Sequence, residues 1–129
     1  MHMRTTMILV DTSVWIDHLR RGDAELAGRL ENGDVACHPF VIGELALGTM
    51  RHRPALLALL AQLPAATEPT HDEVMTFVER HRLHSSGIGW IDAHLLCSAA
   101  LDRHALWTDD KSLRAVAKRL NVGYDRSRG

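Results

Sequence analysis

Most of the sixteen acids in this sequence sit where a solvated helix face explains them, but a few interrupt apolar patterns. Asp11 ends the run MILV, Glu44 stands inside FVIGELALG, Asp92 inside GWIDAHLLCSA, and Asp109-Asp110 follow HALWT. Helical spacing places Phe40, Val41 and Leu47 on the face of Glu44, and Ile88, Leu95, Leu96 and Ala99 on that of Asp92. Both helical acids are therefore expected to face inward, where an unpartnered carboxylate is costly. Asp11 and the Asp109-Asp110 pair fall at strand ends ahead of helices, where capping accounts equally well for Asp11 and for one of the pair. Convergence of such acids has a consequence: unit charges ~5 Å apart at an effective dielectric of 20 repel by roughly 3 kcal/mol per pair. A cation would answer that repulsion, and oxygen-only donors favour Mg²⁺ or Mn²⁺ over zinc. His94, two residues along the helix, points about 200° away from Asp92. His81 and His84 have possible ligand spacing but lie beside Arg80 and Arg82, which reads as an exposed face.

The elements that must carry these acids alternate. A strand over 6–10 leads into the helix SVWIDHLRR, with Thr12 or Ser13 as N-cap. A short helix over 23–31 stops at Asn32-Gly33, and 35–38 forms a brief strand before the helix FVIGELALGTM. Pro54 and Pro64 bracket the helix ALLALLAQL, and Thr70 with Glu73 forms a capping box for HDEVMTFVERHRLHS. Gly87 and Gly89 precede a helix over 90–102. A strand over 104–108, a helix over 111–120 and a last strand over 122–124 complete the chain. Strands alternating with helices predict a parallel sheet covered on both faces, whose chemistry lies beyond the carboxyl ends of its strands.

With 129 residues, the chain is expected to be a single domain, 1–129, with a real core. Its composition, 46% apolar and 24% charged, excludes disorder and fibrous repeats. No apolar run reaches the roughly 20 residues a membrane span needs, and the aspartate in VDTSVW breaks any signal-peptide core. A cytoplasmic protein with no membrane partner is the expectation. A formal charge of -1 offers no global attraction to nucleic acid, so phosphate contacts would fall to local basic clusters at 51–53, 80–82 and 114–128. Solvated helix faces are the simpler reading of those clusters. Cys37 and Cys97 have no CxxC partner and read as buried reduced thiols.

Taken in order, VDTSVWIDHL, the lone glutamate of GEL, GIGWIDAHLL and LWTDDKSL resemble the PIN-domain ribonucleases, in wording close to the VapC toxins of bacterial toxin-antitoxin pairs. The resemblance spans nearly the whole chain. It implies a three-layer α/β/α sandwich around a short, mostly parallel sheet, and metal-dependent endoribonuclease action. Position by position it assigns Asp11, Glu44, Asp92 and Asp110 as the catalytic, metal-holding acids, with Mg²⁺ or Mn²⁺ as cofactor and Asp109 at a variable position beside them. Thr12, Ser13 and Thr108 become candidates for hydrogen bonds that hold the acids. The implied partners are an RNA substrate, a cognate antitoxin and a second copy in a homodimer. Two alternatives share some of these features. A receiver-like phospho-acceptor domain also needs strand-end acids around Mg²⁺, but it wants a paired acid where Asp11 is followed by Thr12-Ser13. A non-catalytic PIN-like binding protein would use the acids only for its partner.

Overall fold

The structure, a computed structural model, describes residues 6–126; the segment MHMRT and the end of the basic tail lie outside them. Three short parallel strands form its centre: β1 (Ile8–Val10), β2 (Val35–Ala36) and β3 (Ala105–Trp107), in the order β2-β1-β3. Ile8 pairs with Val35 on one side and Ala105 on the other, and Leu9 with Ala36 and Leu106. Successive side chains of a strand point to opposite faces, yet all three residues of β1 are buried. Both faces are therefore covered, as the α/β/α expectation required. The chain leaves β1 for β2 on one side and reaches β3 on the other. That reversal opens a crevice beyond the carboxyl ends of β1 and β3.

Seven helices surround the sheet among the described residues: α1 (Thr12–Arg21), α2 (Ala24–Glu31), α3 (Pro39–Leu47), α4 (Arg53–Gln62), α5 (His71–Arg80), α6 (Trp90–Asp102) and α7 (Lys111–Arg119). Their ends follow local chemistry. Asp11, rather than Thr12 or Ser13, is the N-cap of α1, its carboxylate accepting from the Thr12 amide. Asp23 caps α2, and His38 caps α3 instead of ending β2. The Thr70–Glu73 capping box forms as expected. Helix α3 stops at Gly48 and α5 at His81, both short of the spans that periodicity predicts. Residues 122–124 do not form a strand. Only Gly123 bridges Leu106, through two backbone hydrogen bonds of 2.7 and 2.9 Å. Cys37 likewise makes one parallel bridge, to Ala65, at the other edge.

The core gathers Leu9, Val10, Trp15, Leu26, Leu45, Leu95, Leu96, Leu106, Trp107 and Leu113 between sheet and helices. Both cysteines are buried free thiols, and burial pushes Cys37 up to about 11, so neither is poised as a nucleophile. Among the described residues no helix is long and apolar enough to cross a membrane.

Candidate metal centre

Asp11 is the most firmly held acid. It continues β1, its amide donating to the Trp107 carbonyl at 2.9 Å, and it is only 7% exposed. Its Oδ1 accepts from the Thr12 amide at 2.8 Å, while Oδ2 accepts from the Ser13 hydroxyl at 2.9 Å and the Thr108 hydroxyl at 2.7 Å. Four donors or chain constraints thus fix one carboxylate, and none of them carries charge. Thr108, buried at the end of β3, also accepts from the Asp110 amide at 3.1 Å. The Ser13 hydroxyl accepts from the Asp109 amide at 3.1 Å. These bonds tie the start of α1 to the start of α7.

Glu44 departs from the sequence expectation, because it is exposed rather than inward-facing. Helix α3 buries Val41 and Leu45, and Leu47 is 90% exposed. Phe40, Val41 and Leu47 do not make a common buried face, since the end of this short helix projects beyond the core. Glu44 nevertheless reaches back to the site, its Oε1 accepting from the Thr12 hydroxyl at 2.9 Å. Asp92 is half-buried on the first turn of α6, and its Oδ2 accepts weakly from the Gly89 amide at 3.4 Å. Leu95, Leu96 and Ala99 on its face are buried as expected. His94 points elsewhere, into a ring cluster with Phe40 and Trp90 at centroid distances of 4.7 and 5.0 Å.

The adjacent aspartates part company. Asp110 caps α7 through the Leu113 amide at 2.9 Å, whereas Asp109 pairs with Arg114 at 3.6 Å. Asp109 therefore has the basic partner that the sequence did not make visible. Electrostatics separates them too. The carboxyl of Asp92 is raised above its usual range by burial first, and then by the charges of Asp11, Asp110 and Glu44. Asp109 is absent from that set; its field acts on Arg21 and Arg126 instead. Asp11, Glu44, Asp92 and Asp110 thus share one electrostatic neighbourhood, and no ion pair answers any of them among the described residues.

No three His, Cys, Asp or Glu side chains among the described residues close into a ready-made metal cage. Mg²⁺ is commonly bound through one or two carboxylates while keeping several waters. An open set of oxygen donors, mutually repelling and unanswered by cations, fits that mode.

A PIN domain family model matches residues 8–119, which takes in β1 through α7. The chain belongs to the PIN-domain family. Ribonuclease VapC32 of Mycobacterium tuberculosis, in strains CDC 1551 and H37Rv, is 51% identical over 117 residues, covering 90% of this chain and 94% of the relative. Solved structures agree on the fold at lower identity. FitAB bound to an IR36 DNA fragment matches with a TM-score of 0.61 and 20% identity over 87% of this chain and 91% of that one. PAE2754 from Pyrobaculum aerophilum matches with a TM-score of 0.56 and 20% identity, over 86% and 79%.

Within this PIN domain one further group escaped the sequence reading. His38 is fully buried, its Nδ1 accepting from the Phe40 amide at 3.0 Å. Burial first, and then the neighbouring His94, pushes it down to about 4, so it is a neutral cap. The signal was present in CHPF, a polar residue ahead of a proline at the first helical position.

Proposed function

We infer that this PIN-domain protein is an endoribonuclease of the VapC type, the toxin of a toxin-antitoxin pair. The observation that carries this reading is the gathering of Asp11, Glu44, Asp92 and Asp110 in one neighbourhood, held by hydroxyls and amides alone, in a chain half identical to a ribonuclease. These four acids are the groups that hold Mg²⁺ or Mn²⁺, directly or through water. The bound ion supplies a water of lowered pKa and neutralises charge on the phosphodiester. The chain supplies position. Ser13 and Thr108 fix both rotation and tilt of the Asp11 carboxylate, and Thr12 holds Glu44 toward the same crevice. Asp110 has one oxygen engaged by the Leu113 amide of α7, and its charge acts on Asp92. The carboxylates contribute position and metal affinity, and the attacking group is water.

An apolar groove of about 1070 Å³ adjoins Glu44, lined by Ile16, Leu19, Met50, Leu56 and Leu59. It is the surface on which an antitoxin segment would lie, with an arginine reaching the acids. The active species is a homodimer; a monomer on size-exclusion chromatography with light scattering would overturn that part.

Cleavage of RNA by purified protein tests the activity, with Mg²⁺ or Mn²⁺, with chelator, and beside an Asp11→Asn protein purified identically. The expected outcome is cleavage lost with chelator and reduced roughly a thousandfold or more in the variant, about 4 kcal/mol of barrier. Equal cleavage by both preparations would mean a contaminating nuclease, and no cleavage over many RNAs would remove the reading and favour a partner-binding PIN domain.

A further inference from the structure

A second cavity, between the loop after α5 and the helix α7, has chemistry opposite to that of the acids. It is an open pocket of about 600 Å³ whose lining includes Arg82, His84, Ser85, Lys111, Ser112 and Arg119, and no carboxylate. Three permanent cations and a histidine face one space. Arg82, His84 and Lys111 make no ion pair among the described residues, and Arg119 is engaged only through a hydrogen bond to the His81 carbonyl at 3.1 Å. The hydroxyls of Ser85 and Ser112 have no hydrogen bond within the described protein either. Gathered cations with free hydroxyls are the donor set that takes a phosphate, the guanidinium as a fork and the ammonium as a point charge.

The pocket is joined to the acid site through neighbouring residues of the chain. Lys111 directly follows Asp110 at the start of α7. The loop that carries Arg82, His84 and Ser85 ends at Gly89, whose amide meets Asp92. Gly87 brings that loop against α7: a Cβ there would lie 3.2 Å from the Ser112 Oγ, at a φ of 87° that favours glycine. Loop and helix are therefore held at close approach with the basic side chains on both sides of the gap.

We propose that this pocket binds a backbone phosphate of the RNA strand flanking the bond to be cut. The proposal rests on the ribonuclease reading and deepens it. Four carboxylates repel a polyanion everywhere except where metal answers them, and the chain's net charge of -1 gives no compensating attraction. A neighbouring phosphate held by Arg82, Lys111 and His84 would anchor the strand and set its register without reading its bases.

The test measures binding of a fluorescent single-stranded oligoribonucleotide to the Asp11→Asn protein, which retains the strand uncut. Into that background go Arg82→Gln with Lys111→Gln, and as a charge-matched control Arg103→Gln with Lys118→Gln, two exposed cations outside the pocket. The pocket variant is expected to bind at least tenfold more weakly than the control. Its slope of log affinity against log salt should be shallower by about 0.7 for each phosphate that the protein no longer neutralises. In the active protein the same pair should raise KM on long RNA and leave kcat unchanged. Equal affinity and slope for pocket variant and control would overturn the proposal. Amide shifts at Ser85 and Ser112 on titration with inorganic phosphate, with no difference in oligonucleotide affinity, would overturn it in favour of a free-phosphate site. Absence of cleavage in the parent protein would instead strike the ribonuclease reading, and the binding comparison would still decide the pocket.

Discussion

Asp23 accepts two hydrogen bonds from the Arg126 guanidinium, at 2.8 and 3.1 Å, and caps α2 through the Glu25 and Leu26 amides. Asp11 is held just as closely, but every donor to it is a hydroxyl or an amide. The same contrast runs through the molecule. Asp34 is answered by Arg29 at 3.4 Å and Asp17 by Arg21, while among the described residues Glu44 and Asp92 have only the Thr12 hydroxyl and the Gly89 amide. The arginine beside Asp23 holds its carboxyl below the usual range; burial and three neighbouring acids hold Asp92 above it. Asp17, Asp23 and Asp34 are neutralised in place by arginines. The acids of the crevice are oriented without being neutralised, which leaves their charge for something that arrives from outside.

Orientation by neutral donors should matter most for activity. Thr108→Val keeps the shape of a buried side chain but removes the hydroxyl that donates to Asp11 and accepts from the Asp110 amide. Loss of such a supporting bond is expected to lower metal affinity or cleavage by about 10- to 100-fold. The check is a metal titration of cleavage rate. A variant with wild-type metal dependence would show that Ser13 and the Thr12 amide suffice to set the carboxylate, and would narrow the contrast to those two donors.

How much of this was legible depends on the range of the interaction. The order of elements, the span of α6 and the Thr70–Glu73 box are local patterns, and periodicity and capping chemistry found them. Asp11, Glu44 and Asp92 stood out because each broke a local apolar pattern, whereas Asp110 was set apart from Asp109 only by the family resemblance. What failed was tertiary. Glu44 looked inward because helical spacing aligns it with Phe40, Val41 and Leu47, but which turns of α3 meet the sheet is decided by packing, and Leu47 is left in solvent. Residues 122–124 had strand-like composition, yet the edge of β3 offers them a single bridge at Leu106. The split between Asp109 and Asp110 lay in the direction of Arg114, which adjacency in sequence does not encode. The basic pocket brings residues 82–85 against 111–119, and only the fold shows that they meet.

The neutralised side of the comparison should report on stability rather than cleavage. Asp23→Ala removes a helix cap worth about 1 kcal/mol and a half-exposed ion pair worth a few tenths. A loss of roughly 1–2 kcal/mol is therefore expected by denaturant unfolding, with kcat unchanged. The pH dependence follows from the sign of the shift. Asp23 binds its proton less readily folded than unfolded, so its contribution is present above the ordinary carboxylate value and disappears as pH falls through the lowered one. The gap between wild type and Asp23→Ala should hold steady near neutrality and narrow only in that acid range. A gap that closed near pH 6 would point to a different titrating group, since about 6 is the range of histidine.

Asp92→Asn should show the smallest effect and the opposite sign. Without divalent metal, its charge is opposed by burial and by Asp11, Asp110 and Glu44, so replacing it by a neutral isostere relieves repulsion. Because the group is half-exposed and screened, the gain at neutral pH in chelator is expected to stay below about 1 kcal/mol. Asp92 binds its proton more readily folded than unfolded. Protonation of the wild type therefore achieves the same relief, and the advantage of the variant should fade as pH falls through the raised value toward the ordinary one. Metal should invert the order. An ion that binds only the folded state stabilises it by mass action, and it does so more for the protein that keeps all four carboxylates. Thermal unfolding of both proteins, with chelator and with saturating Mg²⁺, would show the crossing. A variant less stable than wild type in chelator would mean that the Asp92 charge is already answered inside the fold, and the contrast with Asp23 would collapse.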